Sequence, residues 1–363
     1  MGERRHDGQG RKAMRLSVLG AGAIGPAAAA LAASRGHEAV LWSPSGRGTM
    51  GLDGRIAAEG ALSGVFPLRV AQGLEEALAS ADAVLLAVPA YAFPALLPRI
   101  AQAMPAGLPL LIAPAASLAP LAFEALRAGL GPRAPVGALA TTPLTARRLA
   151  PDRVRIPAIR AAVDVAAVPA AATPEIATLA TALFGHACPA APDVLQPALA
   201  NANPIIHAAL ALTNATRIER GEAWPQYELM TEATCRLMSA LEAERAALAA
   251  ALGYVVPTLA EALHRASGVP QGRLAAMGAA IAASGRAVLG PAEMETRYVT
   301  EDVPYGLSFY LWLAAGRGVA MPRTAATVAV LEVLWGRDLR ANPLLEALDA
   351  AGLPRLLREG IGR

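Results

Sequence analysis

The chain has 363 residues, which is long for a single hydrophobic core and predicts two domains. Its hydrophobic content of 55% includes only 4% aromatic residues, so the apolarity comes mainly from Ala, which packs tightly and favours helices. The net charge of +3 is small and spread along the chain, which argues against nucleic acid or an anionic membrane surface as a partner.

The numbers and positions of cysteine, histidine and lysine limit the possible metal sites and catalytic mechanisms. Cys188, Cys235 and the five scattered histidines have no metal-ligand spacing, and a reducing, cytoplasmic setting fits them. The only lysine is Lys12, in a basic amino-terminal stretch that we expect to be a disordered tail over residues 1–13. A mechanism that needs a lysine in the body of the protein is therefore excluded.

Two apolar segments resemble membrane or export signals, and we reject both interpretations. The segment 16–33 follows the basic stretch, but it is interrupted by glycines and Pro26, and its removal would delete a strand and turn that the following residues need. The segment 83–97 is broken by Pro89 and Pro94 and is too short to span a bilayer.

The first ordered elements follow the pattern of a dinucleotide-binding fold. A β-type run, Arg15–Leu19, enters the turn Gly20–Gly25, an Ala-rich helix continues to Arg35, and a second strand spans Glu38–Trp42. This order of strand, glycine turn, helix and strand is the one that dinucleotide binding requires.

Each position of the turn has an expected role. Gly20 makes the tight turn, Gly22 lets the backbone approach the pyrophosphate, and Gly25 allows close helix packing. The helix amino terminus at Ala23 and Ile24 would receive the phosphates. The alternative is a glycine-rich turn that binds nothing.

The end of the second strand indicates which dinucleotide is used. An acidic residue there would hold the ribose hydroxyls of NAD, but the sequence has Ser43, Ser45 and Arg47 and no carboxylate. Hydroxyls and an arginine suit a 2′-phosphate, so we predict NADP(H) over NAD(H), with these three residues as contacts. The alternative is a solvated loop, with NAD(H) as the cofactor.

Further strands place substrate candidates at one edge of the sheet. The continuous apolar run of residues 81–88 predicts a buried parallel strand, and residues 108–113, 135–142 and 153–168 repeat the strand pattern. Ligands bind at the carboxyl ends of such strands, so Val88 and Pro89 are expected cofactor contacts, and Tyr91 and Thr141 are substrate candidates. Thr142 and Arg147 border the same region, where a simple loop role is an equal alternative.

After a Pro- and Ala-rich linker at residues 188–197, the hydrophobic period changes from strand to helix. Residues 227–252, 257–263, 306–315 and 322–335 are predicted helices. The sequence therefore predicts an α/β Rossmann-type domain with a mostly parallel sheet over residues 14–195, followed by an all-helical domain over residues 196–363. The Leu- and Ala-rich helical domain could supply a two-fold dimer interface.

His207 is the main catalytic candidate. Asn203 and Pro204 are typical of a helix start, with Asn at the N-cap and Pro in the first turn, which puts His207 in the second turn with Asn214 and Arg217 on its face. Histidine is the side chain most easily poised as acid or base near neutral pH. The alternative is a hydrogen-bonded core histidine.

A second polar segment, residues 297–306, stands between the later helices. It contains Arg297, Glu301 and Asp302 and is bounded by Pro304 and Gly306. Such a segment in an Ala-rich domain favours a functional role; the alternative is a surface loop with two solvated acids.

Together these residues resemble the octopine/nopaline (opine) dehydrogenase family. The resemblance covers most of the chain from Met14 to about Asp338. It rests on four segments, which are residues 20–25, 203–207, 242–245 with Gly253, and 297–306. The glycine turn is shared by many oxidoreductases, whereas the segments containing His207 and Asp302 are far more specific.

The resemblance implies a Rossmann domain followed by a helical domain, with a histidine and aspartate dyad in the cleft between them. By motif match, His207 is the catalytic histidine, Asp302 is its partner, and Arg297 binds substrate; Asn203 is a further substrate candidate. The implied substrates are an α-keto acid and an amino acid or amine, which the enzyme joins by reducing an imine.

Two alternatives remain at this point. A ketopantoate-reductase-like or β-hydroxyacid-dehydrogenase-like reductase would share the domain layout, but those families resemble one another in using a lysine beside the substrate, which this chain lacks outside its tail. A non-catalytic NADP(H)-binding sensor would bind cofactor without turnover.

Overall fold

The computed structural model describes residues 13–285 and 288–361. The chain forms two compact units: the first combines residues up to Ala198 with residues from Ala347 onward, and the second is Leu199–Glu346. All but the last residue of the expected amino-terminal tail lies outside the described residues. No helix within the described ranges is both long and apolar enough to cross a membrane.

The first unit contains eleven strands in two sheets among the described residues. They are β1 (Arg15–Leu19), β2 (Glu38–Trp42), β3 (Arg55–Gly60), β4 (Gly64–Pro67), β5 (Arg69–Val70), β6 (Ala83–Leu86), β7 (Leu110–Ile112), β8 (Val136–Leu139), β9 (Leu144–Ala150), β10 (Arg153–Ile159) and β11 (Val165–Val168).

The main sheet has the order β11-β8-β7-β6-β1-β2-β5. All of its neighbouring pairs are parallel except β11 with β8. Strands β1 and β6 are almost entirely buried, as expected of parallel strands covered on both faces. The predicted α/β Rossmann-type domain with a mostly parallel sheet is confirmed.

A second sheet, of order β4-β3-β10-β9, is absent from the sequence prediction except for β10. Strand β4 is short and largely exposed, and β3 buries only Ile56 and Ala58, so neither has a long apolar run. Helix α1 (Ile24–Ser34) packs against strands of both sheets. This position explains its unbroken buried run from Gly25 to Ala32, because small side chains let backbone approach on either side.

Four more helices complete the amino-terminal part of the first unit: α2 (Leu74–Leu78), α3 (Phe93–Ala103), α4 (Ala119–Leu126) and α5 (Thr173–Phe184). The predicted linker at residues 188–197 is attached to this unit, because Val165 forms a bridge with Ala190. The boundary between the units accordingly falls at Ala198, within helix α6 (Leu195–Ala200).

The second unit is helical. Its helices are α7 (Asn203–Thr213), α8 (Ala215–Glu219), α9 (Glu232–Ala251), α10 (Leu259–Ser267), α11 (Leu274–Ala283), α12 (Arg297–Thr300), α13 (Ser308–Ala315) and α14 (Pro322–Trp335), and a π-helical turn spans Val303–Leu307. The predicted helical domain is confirmed. Helix α9 begins later than predicted because Thr231 caps it, its side chain accepting from the Thr234 N–H.

The last described residues belong to the first unit, whereas the sequence assigns them to the helical domain. Helix α15 (Leu353–Glu359) buries Leu353, Leu356 and Leu357. Beyond it, the Ile361 N–H donates to Glu124 Oε2 at 2.6 Å. Burial of these leucines and the carboxylate contact keep the segment with the sheet domain.

Candidate active site

His207 and Asp302 form a close, buried pair in the second unit. The imidazole Nδ1 lies 2.7 Å from Asp302 Oδ2, and the two side chains are 14% and 7% exposed. At this distance a protonated Nδ1 donates to the carboxylate, which fixes the imidazole orientation. Among the described residues no hydrogen-bond partner is found for Nε2.

The backbone around Asp302 explains how residues 95 positions apart meet. Asp302 directly precedes the π-helical turn, and the Leu307 N–H donates to the Asp302 carbonyl oxygen at 3.2 Å. Gly306 in this turn lies against helix α7, because a Cβ there would be 2.3 Å from Pro204 Cγ. The absence of a side chain at Gly306 therefore lets the turn approach the helix that carries His207. Such π-helical insertions are common at functional sites.

Tyr298 covers one face of the histidine. Its ring is stacked on the His207 imidazole with a centroid separation of 3.7 Å and an interplanar angle of 6°. The Tyr298 hydroxyl donates to Gln226 Oε1. Burial, with further contributions from Tyr227 and Asp302, raises the pKa of Tyr298, so the phenol stays neutral near pH 7. The imidazole is thus held by a carboxylate in its plane and by an aromatic ring on its face.

Arg297 lies one turn before Asp302. Its Nε is 3.3 Å from Glu301 Oε2, and its side chain is 53% exposed while that of Glu301 is 8% exposed. An ion pair of this kind leaves the guanidinium accessible to a carboxylate ligand. The alternative interpretation of residues 297–306 as a surface loop with two solvated acids is wrong, because Glu301 and Asp302 are both buried.

The Glu242–Arg245 segment holds the backbone that leads into helix α7, which carries His207. Arg245 is 1% exposed, and its guanidinium donates to the carbonyl oxygens of Leu199, Asn201 and Pro257. The Asn201 carbonyl also accepts from the Tyr310 hydroxyl at 3.1 Å. These bonds fix the segment that leads into helix α7.

The two glutamates of this segment bind backbone groups of other helices. Glu242 accepts from the Leu259 N–H at the start of α10. Glu244 accepts from the Arg323 and Thr324 N–H groups and the Thr324 hydroxyl at the start of α14, at distances of 2.8 to 2.9 Å. Both carboxylates therefore act as helix caps supplied from a neighbouring helix.

Three details of the His207 helix differ from the sequence expectation. Helix α7 begins at Asn203 and has Ala202 as its N-cap, so Asn203 does not cap it; instead Asn201 Oδ1 accepts from the Asn203 N–H at 3.1 Å. Asn214 donates to the Leu210 carbonyl, and Arg217 pairs with Glu222. Asn214 and Arg217, which are about two and three turns beyond His207, therefore have their own partners.

The glycine turn of the first unit fits a dinucleotide. Gly20 has φ +124°, and a Cβ there would lie 2.4 Å from the Ala87 carbonyl oxygen and 2.7 Å from Val88 Cγ1, so the turn packs directly on the end of β6. By contrast, a Cβ at Gly22 would meet nothing within 4 Å. The turn is therefore tight on its protein side and open at Gly22, as backbone approach by a pyrophosphate requires. The open side leads into Ala23, the N-cap of α1.

The loop after β2 contains the residues predicted to select the cofactor. Ser43 is buried, and its hydroxyl oxygen accepts from the Gly48 N–H at 3.2 Å, while Ser45 and Arg47 are exposed. Arg47 forms no ion pair with a described residue. An exposed hydroxyl and guanidinium beside a buried serine are compatible with a phosphate, and residues 43–52 include no carboxylate that would repel one.

The other candidates lie near the ends of the first unit's strands. Val88 adjoins Gly20, and Pro89 precedes a short 3₁₀ turn that carries Tyr91, which is 53% exposed. Thr141 is half-buried between β8 and β9. Their roles stay predictions. Within the described ranges there is no group of three or more His, Cys, Asp or Glu side chains that could hold a metal ion.

Three contributors to these sites were not predicted from the sequence. Tyr298 and Gln226 adjoin the histidine, and Arg148 contacts the glycine turn. Tyr298 lies beside Arg297 in the polar segment 297–306, so its place in that segment could have indicated a role in the site. Gln226 and Arg148 carry no local signal, because their roles depend on which loops the fold brings to them.

Family models match both parts of the chain. Residues 190–334 match the alpha-helical domain of NAD/NADP octopine/nopaline dehydrogenase, and residues 15–114 match the N-terminus of NAD-dependent glycerol-3-phosphate dehydrogenase. The opine dehydrogenase of Arthrobacter sp. (strain 1C) is 30% identical over 356 residues, which cover 95% of this chain and 97% of that protein.

Solved structures share the fold. Octopine dehydrogenase with NADH and L-arginine superposes with a TM-score of 0.73 at 17% identity, covering 89% of this chain and 90% of that one. Yersinopine dehydrogenase with NADP⁺ gives 0.66 at 18% identity, covering 95% and 98%. A ketopantoate reductase from Ralstonia eutropha JMP134 gives 0.62 at 17% identity, covering 89% and 99%.

The fold and site thus define a two-domain NAD(P)-dependent oxidoreductase. Within that class the chain belongs to the opine dehydrogenase family, which confirms the resemblance stated above.

Proposed function

We propose that the chain catalyses the NADPH-dependent reductive condensation of an amino acid or amine with an α-keto acid, forming a secondary amine through an imine. The observation that carries this proposal is the buried His207–Asp302 pair, with Nδ1 and Oδ2 at 2.7 Å and no partner for Nε2 among the described residues. Membership of the opine dehydrogenase family supports the same reaction class.

Condensation requires two proton transfers that suit His207. The ammonium group of the amine must lose a proton before it attacks the keto carbon, and the resulting carbinolamine must gain one on its hydroxyl to leave as water. Nε2 can accept the first proton and donate the second. Asp302 stabilises the imidazolium between these steps, because its carboxylate contacts the protonated Nδ1. A reduced nicotinamide dinucleotide held at the Gly20–Gly25 turn would supply the hydride for the imine carbon.

Arg297 is proposed to bind a substrate carboxylate. The keto acid carries one, and a guanidinium can bind it through two parallel N–H donors. The exposure of Arg297 supports this role, and its neighbour Glu301 keeps the side chain near the site. Asn203, Tyr91 and Thr141 remain proposed substrate contacts on weaker grounds.

NADP(H) is the proposed cofactor. The loop after β2 offers hydroxyls at Ser43 and Ser45 and a guanidinium at Arg47, and no carboxylate stands at the end of the strand to bind the ribose hydroxyls of NAD. A reducing, cytoplasmic setting is proposed as well, since both cysteines are free and buried.

The test is oxidation of NADPH with pyruvate, glyoxylate or 2-oxoglutarate, each with and without a pooled mixture of amino acids and small amines. The proposal predicts oxidation only when both partners are present, and deconvolution of the pool then names the amine. Repetition with NADH measures cofactor preference, and comparable efficiency with the two cofactors contradicts the NADP(H) assignment.

Two other outcomes point elsewhere. Oxidation of NADPH with keto acid alone would identify a hydroxy-acid-forming reductase. The fold shared with a ketopantoate reductase is compatible with that alternative. In that case His207 donates a proton to a carbonyl oxygen. Tight cofactor binding without turnover on any pair identifies a sensor.

A further inference from the structure

Arg148, on strand β9 of the second sheet, is saturated by backbone carbonyls. Its Nε and its two terminal nitrogens carry five N–H donors in total, and five carbonyl oxygens accept from them. The acceptors are the carbonyl oxygens of Ala21, Gly22, Gly48, Ala150 and Pro151. Every N–H of the guanidinium therefore donates to a backbone carbonyl oxygen, and the side chain links the backbone segments that carry those carbonyls.

Three of the acceptors belong to the two loops of the proposed cofactor site. Arg148 donates to Ala21 at 3.1 Å, to Gly22 at 3.0 Å and to Gly48 at 2.9 Å. The two loops also touch directly, because a Cβ on Gly48 would lie 2.5 Å from the Ala21 carbonyl oxygen. One side chain therefore joins the glycine turn to the loop that carries Ser43 and Arg47.

The direction of these bonds determines where the turn's N–H groups point. In a trans peptide the carbonyl and the N–H point in opposite directions. With the Ala21 and Gly22 carbonyls directed to Arg148, the N–H groups of Gly22 and Ala23 are directed away from it. That opposite side is the open side at Gly22, where a dinucleotide pyrophosphate would accept from backbone N–H groups.

We propose that Arg148 is a positioning residue of the dinucleotide site, which orients the phosphate-binding N–H groups without touching the cofactor. The inference rests on dinucleotide binding at the glycine turn, as in the proposed function, but not on the preference for NADP(H). Since its donors are saturated, Arg148 does not bind the 2′-phosphate. It therefore contributes equally to the binding of NADPH and NADH, whereas Arg47 contributes to NADPH alone.

The experiment measures the dissociation constants of NADPH and NADH for the full chain carrying Arg148→Lys or Arg148→Ala. The lysine variant keeps the charge but cannot span five carbonyls. We expect both constants to rise by the same factor, about tenfold, in each variant. Arg153→Ala, an exposed arginine on the adjacent strand β10, is the matched control and should leave both constants unchanged.

Chemical rescue separates positioning from a general loss of structure. Millimolar guanidinium should restore part of the affinity of the Arg148→Ala variant for both dinucleotides, whereas sodium at equal ionic strength should not. Circular dichroism at the assay temperature checks that each variant is folded. If the Arg148→Ala variant is unfolded, the cofactor affinities of the Arg148→Lys variant provide the test.

Two results would overturn the inference. A loss confined to NADPH would mean that Arg148 reads the 2′-phosphate directly, and unchanged affinity for both cofactors would mean that the turn holds its shape without it. If the wild-type chain binds NADH as tightly as NADPH, the proposed cofactor preference is wrong. The equal rise of the two dissociation constants on substitution of Arg148 can still be measured in that case. If it binds neither dinucleotide, both proposals fail.

Discussion

Gly306 and Pro204 touch at a point where no side chain fits: a Cβ on Gly306 would lie 2.3 Å from Pro204 Cγ and 2.4 Å from Pro204 Cβ. Through this contact the π-helical turn reaches helix α7, and Asp302 and His207 lie at hydrogen-bond distance. The His207–Asp302 contact, proposed as the catalytic pair, therefore depends on a glycine that bears no functional group.

Replacing Gly306 by Ala should separate the two elements. The added methyl group must displace rigid proline atoms, so we expect a loss of about 1–3 kcal/mol in the free energy of unfolding and a lower kcat. Denaturant unfolding and steady-state rates measure the two effects. Gly272→Ala, where a Cβ would meet nothing within 4 Å, is the control and should leave both quantities near wild type. Normal turnover in the Gly306 variant would disprove the dependence.

A double-mutant cycle tests whether His207 and Asp302 act as one unit. His207→Ala should lower kcat by about 10²-fold or more, with dinucleotide binding nearly intact. Asp302→Asn should also lower kcat strongly, because an amide stabilises the imidazolium less well than a carboxylate. The double variant should be no slower than His207→Ala alone, since Asp302 acts through the histidine. Additive losses would remove Asp302 from the pair.

The ring of Tyr298, rather than its hydroxyl, is expected to matter. Tyr298→Phe keeps the stack on His207 and loses the bond to Gln226, so kcat should stay within about threefold of wild type. Tyr298→Leu removes the stack and should lower kcat by about two- to tenfold. Rates are compared with the thermal midpoint of each variant, which separates catalysis from loss of packing. Equal effects of the two substitutions would assign the role to the hydroxyl.

Arg297→Lys should chiefly raise the Michaelis constant of the keto acid, because a point charge replaces a two-pronged donor. The kinetic constants for both substrates are measured, with Arg317→Lys as an exposed arginine control on the same unit. A response of the amine substrate alone would place that partner at Arg297 instead.

Arg47→Ala should raise the dissociation constant of NADPH by about tenfold and leave that of NADH unchanged, because only the former carries a 2′-phosphate. Fluorescence titration with the two cofactors measures both constants. An equal change for both would show that the loop acts on the turn as a whole, as proposed for Arg148.

The sequence predicted those features whose signal is local. The turn at Gly20–Gly25 and the continuous apolar strands predicted the sheet domain, and the motifs around His207 and Asp302 predicted a pair that the fold brings together across 95 positions. The sheet domain follows from residue type and immediate neighbours, whereas the pairing of His207 with Asp302 was implied by the resemblance of their two segments to the opine dehydrogenase family.

Features that depend on tertiary approach could not be predicted in this way. Strand β4 is short and largely exposed, and β3 buries only Ile56 and Ala58, so neither has the long apolar run that predicted the strands of the main sheet. Arg148 is one of two adjacent arginines, and only the register of β9 decides which one reaches the glycine turn. Arg147, which borders the predicted substrate region, is exposed, whereas no role was predicted for its neighbour Arg148.

The return of α15 to the first unit has a consequence for biosynthesis. A ribosome delivers residues 347–361 only after all of the helical unit, so the leucine contacts of α15 and the Glu124–Ile361 bond can form only once that unit has been synthesised. In topological terms the helical unit is an insertion within the sheet unit. A fragment ended at Ala198 would therefore lack a piece of its own hydrophobic core.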